Sequence, residues 1–282
     1  MAMLAENRYG KSRVRLVQVR RHADRHDFRE WTVQTLLRGD FSSCFEDGDN
    51  GKILTTDTMK NTVYSLARES SATCIEEFAK EIVDFLLRRN PQVSQAEVTV
   101  WEKTWERILV DGKPHPTAFV QSSAECGTTR ATRIQGQAFS LASGIEDLVI
   151  MRTAGSAFAG YIKDALTTLP ETNDRLLGTN MRAQWNYAAS DLPFADLRIR
   201  IRNILLKVFA NHPSKSIQHT LYAMAEAVLA QVPEVLEIEL VMPNKHCLPV
   251  DLSRFGQDNP GEIFVPTDEP HGYIEARVRR EG

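Results

Sequence analysis

The stretch Met242-Pro243-Asn244-Lys245-His246 sets a carboxamide, an ammonium group and an imidazole at the end of an alternating, strand-like segment. Imidazole gains and loses a proton near neutral pH, and a carboxamide both donates and accepts hydrogen bonds. Far upstream, Lys11 follows Gly10 at the start of another alternating segment. A lysine partly buried beside a hydroxyl becomes less basic and can serve as a base; otherwise it is a solvated cation. Thr56 stands at the amino end of a helix with Met59, Val63 and Leu66 on one face. It could supply that hydroxyl or simply cap the helix. Asp57 follows it, and the free N–H groups of such a helix end favour an anion. Gln218, in the first turn of a later helix, reads equally as a surface glutamine, and Arg175, in Glu171-Thr172-Asn173-Asp174-Arg175, as a salt-bridge partner. Acting together, a guanidinium fork and a carboxamide can read the edge of a planar anionic heterocycle. Phe158 is either core or a stacking face for such a ring.

Other chemistries find less support. His22 and His26 have an HxxxH spacing, but the surrounding Arg20–His26 reads as a hairpin turn rather than a metal-binding helix. No Walker loop, GxGxxG or GxSxG motif is present. Cys44, Cys74, Cys126 and Cys247 form no CxxC pair, so neither zinc nor a disulfide framework is expected, and a reducing cytoplasm suits them. A net charge of −3 offers no global field for nucleic acid. The early arginines (Arg13, Arg15, Arg20, Arg21, Arg25, Arg29) alternate with apolar residues and read as a solvated strand face. No apolar run is long enough to span a bilayer, so no membrane partner is expected. The chain ends Arg279-Arg280-Glu281-Gly282 rather than in a peroxisomal Ser-Lys-Leu.

The elements that must position these groups repeat. Thr73 followed by Glu76 is a capping-box pattern, and Ile75, Phe78, Ile82, Phe85 and Leu86 recur at helical spacing until Asn90-Pro91. A strand over 96–101 follows. In the second half Ser216 caps a helix with Ile217, Leu221, Met224 and Val228 on its apolar face. Pro233 ends that helix, and 236–240 alternates as a half-buried strand should. Pro91 and Pro233 stand about half a chain apart, which points to a duplication. Further strands are expected at 12–20, 29–39, 117–125, 131–139, 145–153, 180–188 and 272–279, and helices at 57–68 and 194–210. Hairpins alternating with helix pairs imply an α+β fold with helices on one sheet face. The exposed edges of such a sheet would be covered by edge-to-edge assembly.

The order of the motifs along the chain resembles urate oxidase. The matching segments are Tyr9-Gly10-Lys11 with Val14-Arg15, Thr56-Asp57 with Lys60-Asn61-Thr62, and Gly112-Lys113-Pro114-His115-Pro116. Thr167-Thr168-Leu169, Glu171-Thr172, Asp174-Arg175, Gln218 with Thr220 and Tyr222, and Pro243-Asn244-Lys245-His246 complete them. They run from about residue 7 to residue 279, nearly the whole chain. Departures are the missing peroxisomal signal of eukaryotic members, and Asn173 and Ala159 where some members carry bulky aromatics.

The resemblance implies two tandem tunnelling-fold domains, 1–141 and 142–282, in a homotetramer with active sites at subunit interfaces. It implies that Lys11, Thr56 and Asp57 come from one chain, and Phe158, Arg175, Gln218, Asn244 and His246 from its neighbour. Lys11, Thr56 and His246 would relay protons. Phe158 would stack on the purine, and Arg175 and Gln218 would grip its edges. The backbone N–H of Thr56, with Asp57, would bind the opposite edge, and the Ile217 backbone falls at a further contact position. Asn244 would hold dioxygen, then water. The implied reaction takes urate and O2 to 5-hydroxyisourate and hydrogen peroxide with no cofactor and no metal, in a bacterial-type cytoplasmic enzyme. Two alternatives stay open: a pterin-type enzyme of the same fold, and a purine-binding protein without turnover.

Overall fold

The computed structural model describes residues 2–281. The chain divides into two compact units, Met1–Gly144 with Trp185–Arg198, and Ile145–Gln184 with Ile199–Gly282.

In the first unit, β1 (Tyr9–Arg21) and β2 (His26–Gly39) form an antiparallel hairpin. Two helices follow a short α1 (Ser42–Glu46): α2 (Thr56–Glu69) and α3 (Ile75–Arg89). The long strands β3 (Val93–Val110) and β4 (Lys113–Ile134) then extend the sheet in the order β1-β2-β3-β4, all antiparallel. Along β2 every second residue, Trp31, Val33, Thr35 and Leu37, is buried, as the period of a strand with one covered face requires. Phe78 of α3 stacks on Trp31 with ring centroids 4.7 Å apart, so helix and sheet close a single core.

The second unit contains most of β5 (Ser140–Arg152), β6 (Leu177–Tyr187) and α4 (Phe194–Asn211). It also holds α5 (Ile217–Gln231), β7 (Val235–Val241), β8 (Asn244–Pro249), β9 (Phe264–Gly272) and β10 (Glu275–Arg279). Strands β7 and β10 pair antiparallel, β8 pairs with β6, and β9 pairs with β8. Leu221, Met224 and Val228 of α5 are buried with Ile238 and Leu240 of β7.

The repeat is visible at atomic level. Helix α3 ends at Asn90 (φ −132°, ψ 83°) and α5 at Val232 (φ −122°, ψ 86°), each just before its proline. Both residues are extended, as a following proline demands. The same turn follows in each half: Val93 N–H donates to Asn90 O at 2.9 Å, and Val235 N–H to Val232 O at 3.1 Å. The strands that leave these turns bury their first seven residues in the same pattern. The α+β class with a duplicated antiparallel plan is therefore present.

Several local expectations are corrected. Strand β4 runs unbroken to Ile134, and the turn around Gly136 (φ 76°) takes 135–139, part of the expected 131–139 strand. Thr55, not Thr56, caps α2, accepting from Thr58 N–H at 3.1 Å. At α3 the reciprocal carboxylate is Glu77, which accepts from Thr73 N–H at 2.7 Å. Glu76 turns inward instead. It is fully buried, accepts from Ser143 Oγ at 2.6 Å and pairs with Arg198 at 2.7 Å. Arg198 also reaches Glu102, whose other oxygen accepts from Trp31 Nε1 at 2.8 Å. Two of the early arginines are not solvated: Arg20 donates to Ser70 O, and Arg29 to Ala72 O and Thr73 O.

Breaking a buried ion pair from one side leaves an uncompensated charge. Arg198→Ala should therefore lower unfolding stability by about 3–5 kcal/mol, read as a lower urea midpoint with unchanged slope. An unaltered midpoint would show that Glu76 finds another partner.

Candidate functional site

In the first unit the candidate groups converge from β1 and α2. An ideal Cβ on Gly10 would lie 1.8 Å from Thr35 O, so only glycine allows β1 to approach β2 this closely. The next residue, Lys11, pairs with Thr35, and the register then shifts before Val14, with Arg13 at φ 57°. A bulge of this kind re-aims side chains and raises local twist. Buried Thr35, opposite Lys11, directs its hydroxyl to Met59 Sδ of α2 at 3.7 Å. Tyr9 adds a latch: its hydroxyl donates to Leu54 O at 3.0 Å and accepts from Leu54 N–H at 2.9 Å. The segment before Thr56 is thereby tied to the segment before Lys11.

Thr55 caps α2 through Thr58, so the N–H groups of Thr56 and Asp57 lie in the first turn, where no intrahelical acceptor exists. Thr56 itself is half-buried. Asp57 is bonded by Lys60 and by Asn61 Nδ2 at 3.0 Å. Lys60 is the chief cause that holds its carboxyl below the usual range, with Asn61 and the Lys11 charge adding to it. Asp57 thus feels the Lys11 charge, with Thr56 next to it in the chain.

In the second unit a loop after β5 is pinned beside the start of α5. Ala157 N–H donates to Ser214 O at 2.8 Å, and Ser214 N–H to Gly155 O at 3.2 Å. Phe158 exchanges both backbone bonds with Thr172, at 2.8 and 3.0 Å. Asp174 accepts from Gly155 N–H at 2.6 Å. Arg152 donates to Phe209 O at 3.0 Å and His212 O at 2.6 Å, at the end of α4, and also to Gly155 O. Burial is the main cause that lowers its pKa, and Asp174 opposes the shift.

This frame presents Phe158 and Arg175. The guanidinium carbon of Arg175 lies 5.0 Å from the Phe158 ring centroid, within cation–π range. Its Nε is buried without a hydrogen-bond partner, and burial lowers its pKa. The salt-bridge reading of this segment therefore shifts: Asp174 is spent on the Gly155 loop, and Arg175 keeps an unused donor. Tyr161 stacks on Phe158 with centroids 4.9 Å apart. Ser216 caps α5, accepting from His219 N–H at 3.1 Å. Ile217 is buried in the first helical position, and Gln218, next to it, is exposed.

Asn244 and His246 lie on β8, a separate strand that begins after Pro243 rather than the tail of β7. Asn244 pairs with Thr179 of β6 and Gly272 of β9, and His246 with Thr267, with a register shift between them. Both are half-buried. Within one chain the nine candidates thus form two sets. Lys11, Thr56 and Asp57 belong to the first unit, and Phe158, Arg175, Ile217, Gln218, Asn244 and His246 to the second. Among the described residues no three His, Cys, Asp or Glu side chains gather as metal ligands. Of the supporting residues, Arg152 was not singled out from sequence, and Tyr9 and Asp174 entered only as parts of matching motifs, without a role.

Comparison with known proteins bears on this arrangement. The family model described as Uricase matches residues 7–132 and 141–275. A uricase of Arthrobacter globiformis is 40% identical over 280 residues, covering 99% of this chain and 91% of the relative. An Arabidopsis thaliana uricase is 39% identical, covering 98% and 95%. The crystal structure of the Arthrobacter globiformis uricase superposes with a TM-score of 0.94 at 38% identity, covering 100% of this chain and 96% of that one. A Bacillus fastidious uricase, at 24% identity and a TM-score of 0.84 over 97% and 93% of the two chains, shares the fold.

Asp174→Ala should release the loop that carries Phe158. Amide exchange at Gly155 should accelerate on the order of tenfold, as loss of a charge-assisted hydrogen bond implies. Unchanged exchange would mean that Arg152 and Ser214 suffice to hold it.

Proposed function

The chain belongs to the uricase family and oxidises urate with dioxygen, and we propose that it does so without a cofactor, through a proton relay of Lys11, Thr56 and His246. The observation that carries this reading is the buried, unpartnered Nε of Arg175 beside Phe158. A planar anion stacked on that ring would satisfy the guanidinium. Gln218, at the start of α5, would grip a second edge, with the Ile217 backbone alongside. The N–H of Thr56, with Asp57, would take the opposite edge, supported by the free donors of the α2 first turn.

Held in this way, urate loses a proton to the relay and becomes electron-rich. It passes two electrons to dioxygen, which Asn244 holds above the ring. The peroxide formed leaves as hydrogen peroxide, and water adds to the oxidised ring to give 5-hydroxyisourate. Urate, dioxygen and one water thus balance 5-hydroxyisourate and hydrogen peroxide. His246 and Lys11 return the protons. Positioning and proton transfer are the contributions asked of the protein.

The halves 1–141 and 142–282 are assigned as two tandem tunnelling-fold domains, supported by the repeated helix–proline–strand turn and the twofold family match. Chains assemble as a homotetramer, each site taking Lys11, Thr56 and Asp57 from one subunit and the remaining groups from its neighbour. The separation of the two sets into different units of one chain supports this assembly. The four unbridged cysteines suit a reducing, cytoplasmic setting. No described helix is long and apolar enough to cross a membrane.

Urate absorbance and peroxide followed together, after treatment with chelator, test the overall reading. Equal loss and gain are expected; peroxide-free loss or metal dependence would overturn it. Lys11→Ala should slow turnover by about 10²–10⁴, the usual share of acid–base catalysis, while a non-oxidisable urate analogue still binds. Turnover at the wild-type rate would remove Lys11 from the relay. Arg175→Ala should weaken analogue binding by about 1.5–3 kcal/mol, and undiminished affinity would exclude its gripping role.

A further inference from the structure

We infer that His219, backed by His212, is a positioning residue that holds Gln218 and the start of α5 in a binding-competent place through the lone pair on its Nδ1. The inference rests on the reading of Gln218 as a substrate-gripping side chain. His219 is the next residue in the first turn of α5. Its Nδ1 faces two partners: Lys215 N–H at 3.3 Å and His212 Nε2 at 3.1 Å. The ring centroids are 4.3 Å apart at 63°. An amide N–H only donates, so His219 Nδ1 carries the lone pair and His212 Nε2 carries the hydrogen. One acceptor thus gathers the end of α4 and the turn before α5. Through Ser214 the same turn holds Gly155 and Ala157, and with them the loop of Phe158.

The Arg152 charge opposes a proton on His212. Arg152 on β5 donates to His212 O, and Asp174 lies beyond Arg152, on Gly155. The Lys215 side chain is exposed on the turn itself. Burial, then His219, then Arg152 hold His212 below the ordinary histidine value. A proton on His219 Nδ1 would remove the lone pair that both donors share. That new N–H meets the Lys215 N–H donor to donor, and the turn loosens. The latch therefore holds with a neutral His219 ring and is expected to weaken on acidification.

The test compares KM and kcat for urate between about pH 5.5 and 8.5 in wild type, His219→Asn and His219→Leu. The asparagine Oδ1 can accept both N–H groups and does not titrate; leucine accepts neither. An acid rise in KM is expected in wild type and should flatten in His219→Asn. In His219→Leu, KM should be about fivefold high at every pH, the worth of one hydrogen bond, with kcat little changed. Titration of urate itself is common to all three and cancels. An identical acid limb in His219→Asn, or a wild-type KM in His219→Leu, overturns the proposal. Amide exchange at Lys215 in wild type gives a readout independent of activity and of the leucine variant's folding. Its protection should fall on acidification, and pH-independent protection overturns the latch. If Gln218→Ala leaves KM unchanged, the substrate reading of Gln218 fails, while Lys215 protection still decides the latch.

Discussion

One guanidinium, that of Arg152, binds three carbonyls from two places: Phe209 and His212 at the end of α4, and Gly155 in the loop after β5. The last carbonyls of a helix have no intrahelical donors, and a cation there also meets the negative end of the helix dipole. Arg152 therefore fixes where α4 stops and where the Gly155 loop begins. The rest of the second half-site follows. Asp174 closes the same loop from the other side, which leaves Arg175 its unshared donor beside Phe158. Ser214 carries the constraint to the cap of α5 and so to Ile217 and Gln218.

The first half-site is built by a different device with the same result. A glycine too crowded for any side chain lets two strands touch, and a bulge then turns the strand just after Lys11. Tyr9 and the Thr35–Met59 contact fasten α2 to that strand. In both halves a helix amino end is held against a strand or loop by bonds to the main chain. Donors at such an end are already oriented when an anion arrives, so little ordering is left for binding to cost.

Much of this was legible in the sequence. The alternation in 236–240, the helices at 57–68 and 194–210, and the prolines that stop two helices follow from local periodicity and steric rules. The candidate site residues were chosen through the order of short motifs, each weak alone. What escaped was decided by contacts distant along the chain. Thr55 and Thr56 are equivalent caps by composition; Tyr9, holding Leu54, helps set which one precedes the helix. Glu76 and Glu77 are equivalent candidates for a capping box, but Arg198, far along the chain, draws Glu76 inward. Strand β4 reads as two segments because the buried positions between them are Gly127 and Thr129 rather than apolar residues, and pairing with β3 carries it through. Arg152 gave no local signal, since its partners are all backbone carbonyls.

In the proposed assembly each chain carries halves of two different sites, each completed by a neighbour. Co-expression of Lys11→Ala and Arg175→Ala chains tests it directly, because neither variant alone retains a complete site. If sites form between subunits, mixed tetramers regain roughly a quarter of wild-type activity, the share of interfaces in which both contributing halves are intact. If the mixture is no more active than the two separate variants, Lys11 and Arg175 do not meet across an interface, and the shared-site account is wrong.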